Sequence, residues 1–166
     1  MPHSVPVTKL MIRASEWPLL RADATVRECI KFLRIVTEEK KLTHGHATPL
    51  VLDESYNLIG FVHLVDLLKS VRHLCGVTEA PCELDEATAV VRDLAVPFAG
   101  SVGPTDSILT ALDIMMDHGV SLVPVMEDHK LMGIIKLSDI FTMVASLLFD
   151  EEIIEEKEIL IRRFRL

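Results

Sequence analysis

Two aspartates, Asp66 and Asp139, each follow a glycine by the same interval, from Gly60 and Gly133, and each has a potential donor three residues earlier, His63 or Lys136. A carboxylate offers two oxygens, each able to accept a hydrogen bond from a hydroxyl. A lysine can lend its charge to a phosphate, and a histidine can donate when protonated. The plainer reading is that the aspartates serve a helix dipole and that His63 and Lys136 are solvated strand-end residues. A second constellation is Thr43-His44-Gly45-His46, with His63, His73 and Cys75 elsewhere. Two histidines one residue apart can share a metal, yet no third and fourth ligand follows at a recognised spacing, so a polar loop is the simpler expectation. No GxSxG elbow, P-loop Lys-Ser/Thr pair or GxGxxG is present, and no cysteine has a base that spacing reveals. The sequence therefore reads as non-catalytic, with no cofactor required.

The elements that position these residues occur twice. Thr48-Pro49-Leu50-Val51-Leu52-Asp53, followed by Leu58 to Leu67, recurs as Val123-Pro124-Val125-Met126-Glu127-Asp128, followed by Leu131 to Ile140. Upstream, Val7 to Met11 matches Val91 to Ala95, and Ala24-Thr25-Val26 matches Asp106-Ser107-Ile108. The offset between copies falls from 84 at Val7 to 73 at Gly60, so all insertions lie in the first copy. The largest surrounds Glu38 to His46 and should lengthen the first helix and the loop after it.

Each copy reads as helix, strand, turn, strand, helix. Thr25-Val26-Arg27-Glu28 has the form of a capping box, and Val26, Cys29, Ile30 and Leu33 keep helical spacing, as do Ile108, Ala111, Leu112 and Met115. Short apolar runs opened by Pro49 or Pro124, and punctuated by polar turns, read as paired strands. Asp66 and Asp139 then open second helices, the first stopping near Gly76 and the other continuing from Leu137 toward the end, with acids first and arginines last. Gly119 reads as a helix end. The expected organisation is a first repeat over 1–76, a partly helical linker over 77–90, a second repeat over 91–149 and a charged C-terminal helix over 150–166.

These residues resemble tandem CBS domains, the Bateman module, over about residues 5–149. The resemblance implies an α/β (α+β) fold in which two pseudo-symmetric β-α-β-β-α repeats pack sheet to sheet with a cleft on each side, followed by a helical extension. It also implies a regulatory sensor for an adenosine-containing ligand of the AMP, ADP, ATP, S-adenosylmethionine or NAD class, often a dimer. Asp66 and Asp139 stand where the family's ribose-binding aspartate lies. The family commonly has Ser or Thr three residues before it; here His63 and Lys136 depart from the pattern, as a ligand with a charged tail would suit. Ser138 keeps a hydroxyl where the first copy has Val65, which ranks the Asp139 cleft first. The purine edge is expected against Ala47 and Thr48 in one copy and Ser121 and Leu122 in the other, in a slot expected to be aliphatic because aromatics are only 5% of the chain.

Composition excludes other classes. The 166 residues are 49% hydrophobic, enough for a packed core, and a net charge of −8 has the wrong sign for a broad nucleic-acid face. No apolar run reaches membrane-spanning length, and Met1 to Ser4 lacks a charged leader, so a cytoplasmic chain is expected. Cys29, Cys75 and Cys82 form no paired framework and read as reduced thiols. The methionines Met115, Met116, Met126, Met132 and Met143 read as core. With little chain outside the repeats, the output is expected to pass to a separate effector protein or to other copies in a homodimer. A ligand-free dimerisation or docking scaffold is the competing reading.

Overall fold

A computed structural model describes residues 5–39, 48–74 and 89–164, with the side chains of 71–74 outside the description. Helix α1 (Val26–Glu38) begins at Thr25, whose hydroxyl accepts from the Glu28 amide while the Glu28 carboxylate accepts from the Thr25 amide. This reciprocal cap satisfies two of the orphan donors that every helix start leaves. One stripe, Val26, Cys29, Leu33 and Val36, is buried. The counterpart α3 (Ile108–His118) uses a simpler cap, Ser107 accepting from the Leu109 amide, and buries Ile108, Ala111 and Met115. It ends at Gly119, held at φ 63°, where a side chain would be disfavoured. At 13 residues against 11, α1 is the longer, as the insertion requires. The rest of that insertion, residues 40–47, lies outside the described residues, as do Gly76 and most of the linker.

Two hairpins follow the helices. Strands β3 (Leu50–Leu52) and β4 (Leu58–Phe61) pair antiparallel, as do β5 (Leu122–Glu127) and β6 (Lys130–Lys136). The first turn is tied by Asp53, whose carboxylate accepts from the amides of Ser55 and Asn57 and from the Asn57 side chain. In the second, Asp128 and His129 both have positive φ, the tight turn that matches strand twist. Helix α2 (Leu64–Leu74) leaves β4 directly, and α4 (Leu137–Phe164) runs 28 residues from β6, the long C-terminal helix read from the sequence.

Each sheet also recruits chain from the other repeat. The N-terminal stretch contributes β1 (Ile12–Arg13), antiparallel to β6, and after one 3-10 turn β2 (Leu19–Arg21), parallel to β3. The sheets are therefore β1-β6-β5 and β2-β3-β4. The second repeat returns the exchange, since Val96 bridges to Phe61 while Val102 bridges to Val125. Upstream, the Val7 amide donates to the Asp106 carbonyl and the Val91 amide to the Ala24 carbonyl. Val7 is thus buried with Val102, Ile108 and Ile135, and Val91 with Val26, Leu33 and Val51. A third cluster, Trp17, Leu50 and Ile134, joins the two sheets.

The exchange explains the two repeated glycines. A Cβ on Gly60 would strike the Val96 carbonyl, and one on Gly133 would strike the Ile12 carbonyl. Glycine stands there because backbone from the other repeat lies against it.

Not every methionine is core. Met115 is buried and Met143 packs on the second-repeat cluster, whereas Met116 and Met132 are 69% and 37% exposed. Met116 follows the buried residue of the α3 stripe, so its helical angle turns it out; Met132 adjoins buried Gly133 and takes the other strand face.

Candidate functional site

Phe61 and Val96, paired reciprocally across the repeats, both line a cleft. The Phe61 amide donates to the Val96 carbonyl at 2.9 Å and the Val96 amide to the Phe61 carbonyl at 2.8 Å. The space beside this pair is about 610 Å³. Its walls are Thr48, Phe61 and His63 from the first repeat, and Val96 to Ala99 with Gly119 to Leu122 from the second. That volume falls in the range of ordinary small-molecule sites.

Aromatic rings line it. His63 meets Phe61 edge-on with ring centroids 5.0 Å apart, and Phe98 packs on Phe61 with a tilted ring at 4.8 Å. The slot is therefore not purely aliphatic, because both phenylalanines sit where the repeats meet rather than in either separate core. Neither Phe61 nor Phe98 was singled out from the sequence. Phe61 lies inside the repeated motif, where it reads as a strand residue, and Phe98 comes from a stretch with no matching aromatic in the first copy.

Sequence-selected residues fall into three places. Thr48, His63, Ser121 and Leu122 converge on this one cleft, although they come from different repeats. Two of the backbone carbonyls at its rim already have partners: Thr48 O accepts from the Trp17 indole at 3.0 Å, and Ser121 O accepts from the Leu137 amide at 2.9 Å. The Ser121 bond anchors the start of α4 to the cleft wall.

The two aspartates occupy first turns, where the helix dipole favours a carboxylate. Asp66 has its amide bonded to the His63 carbonyl at 2.9 Å and its carboxylate 3.4 Å from Lys69 Nζ. Asp139 lies 3.5 Å from Lys136 Nζ, with both side chains about one-third exposed or less, at 33% and 26%. A cation therefore accompanies each aspartate. Neither aspartate is among the residues lining the 610 Å³ cleft, nor are Lys136 and Ser138. Ser138 is exposed, its carbonyl accepting from the Thr142 hydroxyl. Ala47 lies outside the described residues.

Other chemistry is limited. Cys29 is buried in α1, and burial pushes its thiol up to about 12, so it stays protonated near neutral pH and is a poor nucleophile or metal ligand. Among the described residues no three His, Cys, Asp or Glu side chains gather to hold a metal. His44, His46, Cys75 and Cys82, and the side chain of His73, lie outside that description. No described helix is long and apolar enough to cross a membrane.

Across the repeats, Arg92 donates to both oxygens of Glu54 at 2.8 and 3.0 Å, a surface tie between the two halves.

Solved structures share the fold. A structure of CBSX2 in complex with AMP is 21% identical with a TM-score of 0.60, covering 86% of this chain and 97% of that one. The cytosolic domain of the Mg2+ channel MgtE in complex with ATP is 22% identical with a TM-score of 0.61, covering 81% of this chain and 46% of that one. The CBS domains of a transcriptional regulator from Streptococcus pneumoniae are 18% identical with a TM-score of 0.56, covering 83% and 98%. By sequence, no curated protein matches the chain. The family model for the CBS domain matches residues 7–73 and again 91–146, well over half of the sequence, and the chain thus belongs to the CBS domain family with two copies in tandem.

Proposed function

We propose that this tandem CBS chain is a non-catalytic regulatory module that senses an adenosine-containing ligand of the AMP, ADP, ATP, S-adenosylmethionine or NAD class. The observation that carries the reading is the 610 Å³ cleft walled by both repeats. A ligand seated there touches both halves at once, so binding energy is coupled to how the halves are held together. Two structures of this fold are complexes with AMP and ATP, which supports the ligand class.

In this reading the base lies against Phe61 and Phe98 with the backbone of Thr48, Ser121 or Leu122 at its edge, and Ala47 is the further candidate of the first copy. Asp66 and Asp139, one in each repeat and both outside the lining of this cleft, are candidate ribose acceptors for a ligand that reaches the helix starts, each aspartate then leaving its lysine. His63, which lines this cleft, faces a charged tail, and Lys136 and Ser138 would do so for a ligand beside Asp139 in the second cleft. The output passes to an effector protein or across a homodimer in the cytoplasm, with no nucleic acid as principal partner.

The lysine beside each aspartate favours the second reading, a scaffold whose clefts stay empty, because both carboxylates already have cations. Thermal unfolding with an adenine-nucleotide panel separates the two. A ligand held only by the folded state at 100 times its dissociation constant adds about 2.7 kcal/mol. A melting shift of several degrees that His63→Ala and Phe98→Ala reduce supports the sensor. No shift with any member at millimolar concentration leaves the scaffold.

A further inference from the structure

The last part of α4 carries apolar residues that its own chain leaves uncovered. Helix α4 buries only Ile140, and Met143 and Val144 are the last residues packed on the second-repeat core. From Ser146 to Phe164 the helix continues for about 28 Å at its usual rise. Leu147, Ile154, Ile161 and Phe164 are 72%, 76%, 43% and 73% exposed. With Asp150 and Lys157 they fall at alternating steps of three and four residues, the spacing of a coiled-coil seam. An isolated helix of this length and composition is marginal in water and gains stability by covering such a face.

The two charges in the seam specify the occupant. Asp150 has no base, and Lys157 no acid, three or four residues away on its own helix. Ile153, Ile154, Leu160 and Ile161 surround Lys157 at those steps, while Leu147, Ile153 and Ile154 surround Asp150. Neither charge has an ion-pair partner among the described residues. A parallel second copy would set Asp150 on Asp150 and Lys157 on Lys157. Antiparallel pairing centred near Ile154 instead sets Asp150 of each chain within one turn of Lys157 of the other, twice per pair. A seam charge matched only in one orientation is a known means of fixing helix direction.

We propose that this segment of α4 pairs antiparallel with the same segment of a second copy, through the Leu147-Ile154-Ile161 seam and two Asp150–Lys157 contacts. The pairing gives the homodimer in the reading above a specific surface and needs no ligand. It stands or falls separately from ligand sensing.

Sedimentation equilibrium of the full chain tests it. The native chain is expected to be a dimer. Asp150→Lys and Lys157→Asp each place like charges across the seam and should weaken self-association about tenfold or more. Mixing the two variants restores both opposite-charge contacts, so a heterodimer should form more tightly than either variant dimerises alone. Asp150→Lys with Lys157→Asp in one chain should restore the homodimer. Both positions are exposed, so the repeats should melt as in the native chain. A monomeric native chain at about 100 µM, or a dimer that neither charge variant weakens, overturns the proposal. Nucleotide-induced melting shifts that persist in the charge variants show that the ligand reading survives even then.

Discussion

Replacing Gly60 by alanine tests the crossing of the two repeats at its tightest point. The added Cβ points at the Val96 carbonyl, which accepts the Phe61 amide and so cannot retreat without breaking that bond. Overpacking against backbone costs about 1–3 kcal/mol. If the strands separate instead, the reciprocal pair between Phe61 and Val96 is lost at about 0.5–1.5 kcal/mol per bond. Gly60 also sits at φ 156°, a backbone that costs a side chain about 1–3 kcal/mol more, so the expected destabilisation is about 2–6 kcal/mol, or roughly 5–20 °C in melting temperature for a chain of this size. Gly119→Ala is the control: its φ is also positive, but no atom lies within 4 Å, so only the backbone penalty of about 1–2 kcal/mol applies. Gly103→Ala, with ordinary contacts and no positive φ, should be close to neutral. Urea denaturation of the three variants should rank Gly60 well above Gly119 and Gly119 above Gly103. If Gly60→Ala costs no more than Gly119→Ala, the explanation of the repeated glycine is wrong.

Ile134→Ala empties the junction between sheets and should cost about 2–5 kcal/mol; calorimetry should still show one transition, and a separate melting of one repeat would contradict a shared core. Thr25→Ala removes the α1 cap and should cost about 1 kcal/mol in chemical denaturation. Acid should destabilise the fold. Asp53 is held below its ordinary range by the Asn57 and Ser55 hydrogen bonds, Glu28 by those from Thr25, and Asp23 by Arg21. Because these folded-state values are depressed, their contribution is complete above about pH 5 and is lost as pH falls through the folded values. Denaturation midpoints that stay constant from pH 6 to below pH 4 would contradict this. Cys29 should resist alkylation at pH 8 until the chain unfolds, which mass spectrometry of the native and urea-treated protein reads directly.

The helices and hairpins were legible because their signals are local. The Thr25 and Glu28 spacing, the apolar stripe of α1 and the proline-marked strands are each local, although Pro124 lies inside β5 rather than opening it as Pro49 opens β3. The crossing strand Ile12–Arg13 was not legible, and neither was Leu19–Arg21 beside β3, since both are too short for any period to declare itself. Gly60 and Gly133 stood out as landmarks of the repeat, yet their reason lies in backbone far away in sequence. The cleft divides in the same way. His63, Thr48, Ser121 and Leu122 were chosen within their own copies, and only the exchange of strands brings them together. Phe98 had no sequence signal, because its role depends on the Val96 bridge that carries it to Phe61.

In the proposed function an adenosine ligand touches both repeats in one cleft. Amide NMR of the chain titrated with AMP reads this most directly. Signals from Phe61 and His63 in one repeat and from Val96, Ser121 and Leu122 in the other should shift together and saturate at one concentration. Shifts confined to a single repeat, or none with AMP, ADP, ATP, S-adenosylmethionine or NAD at millimolar concentration, would contradict it.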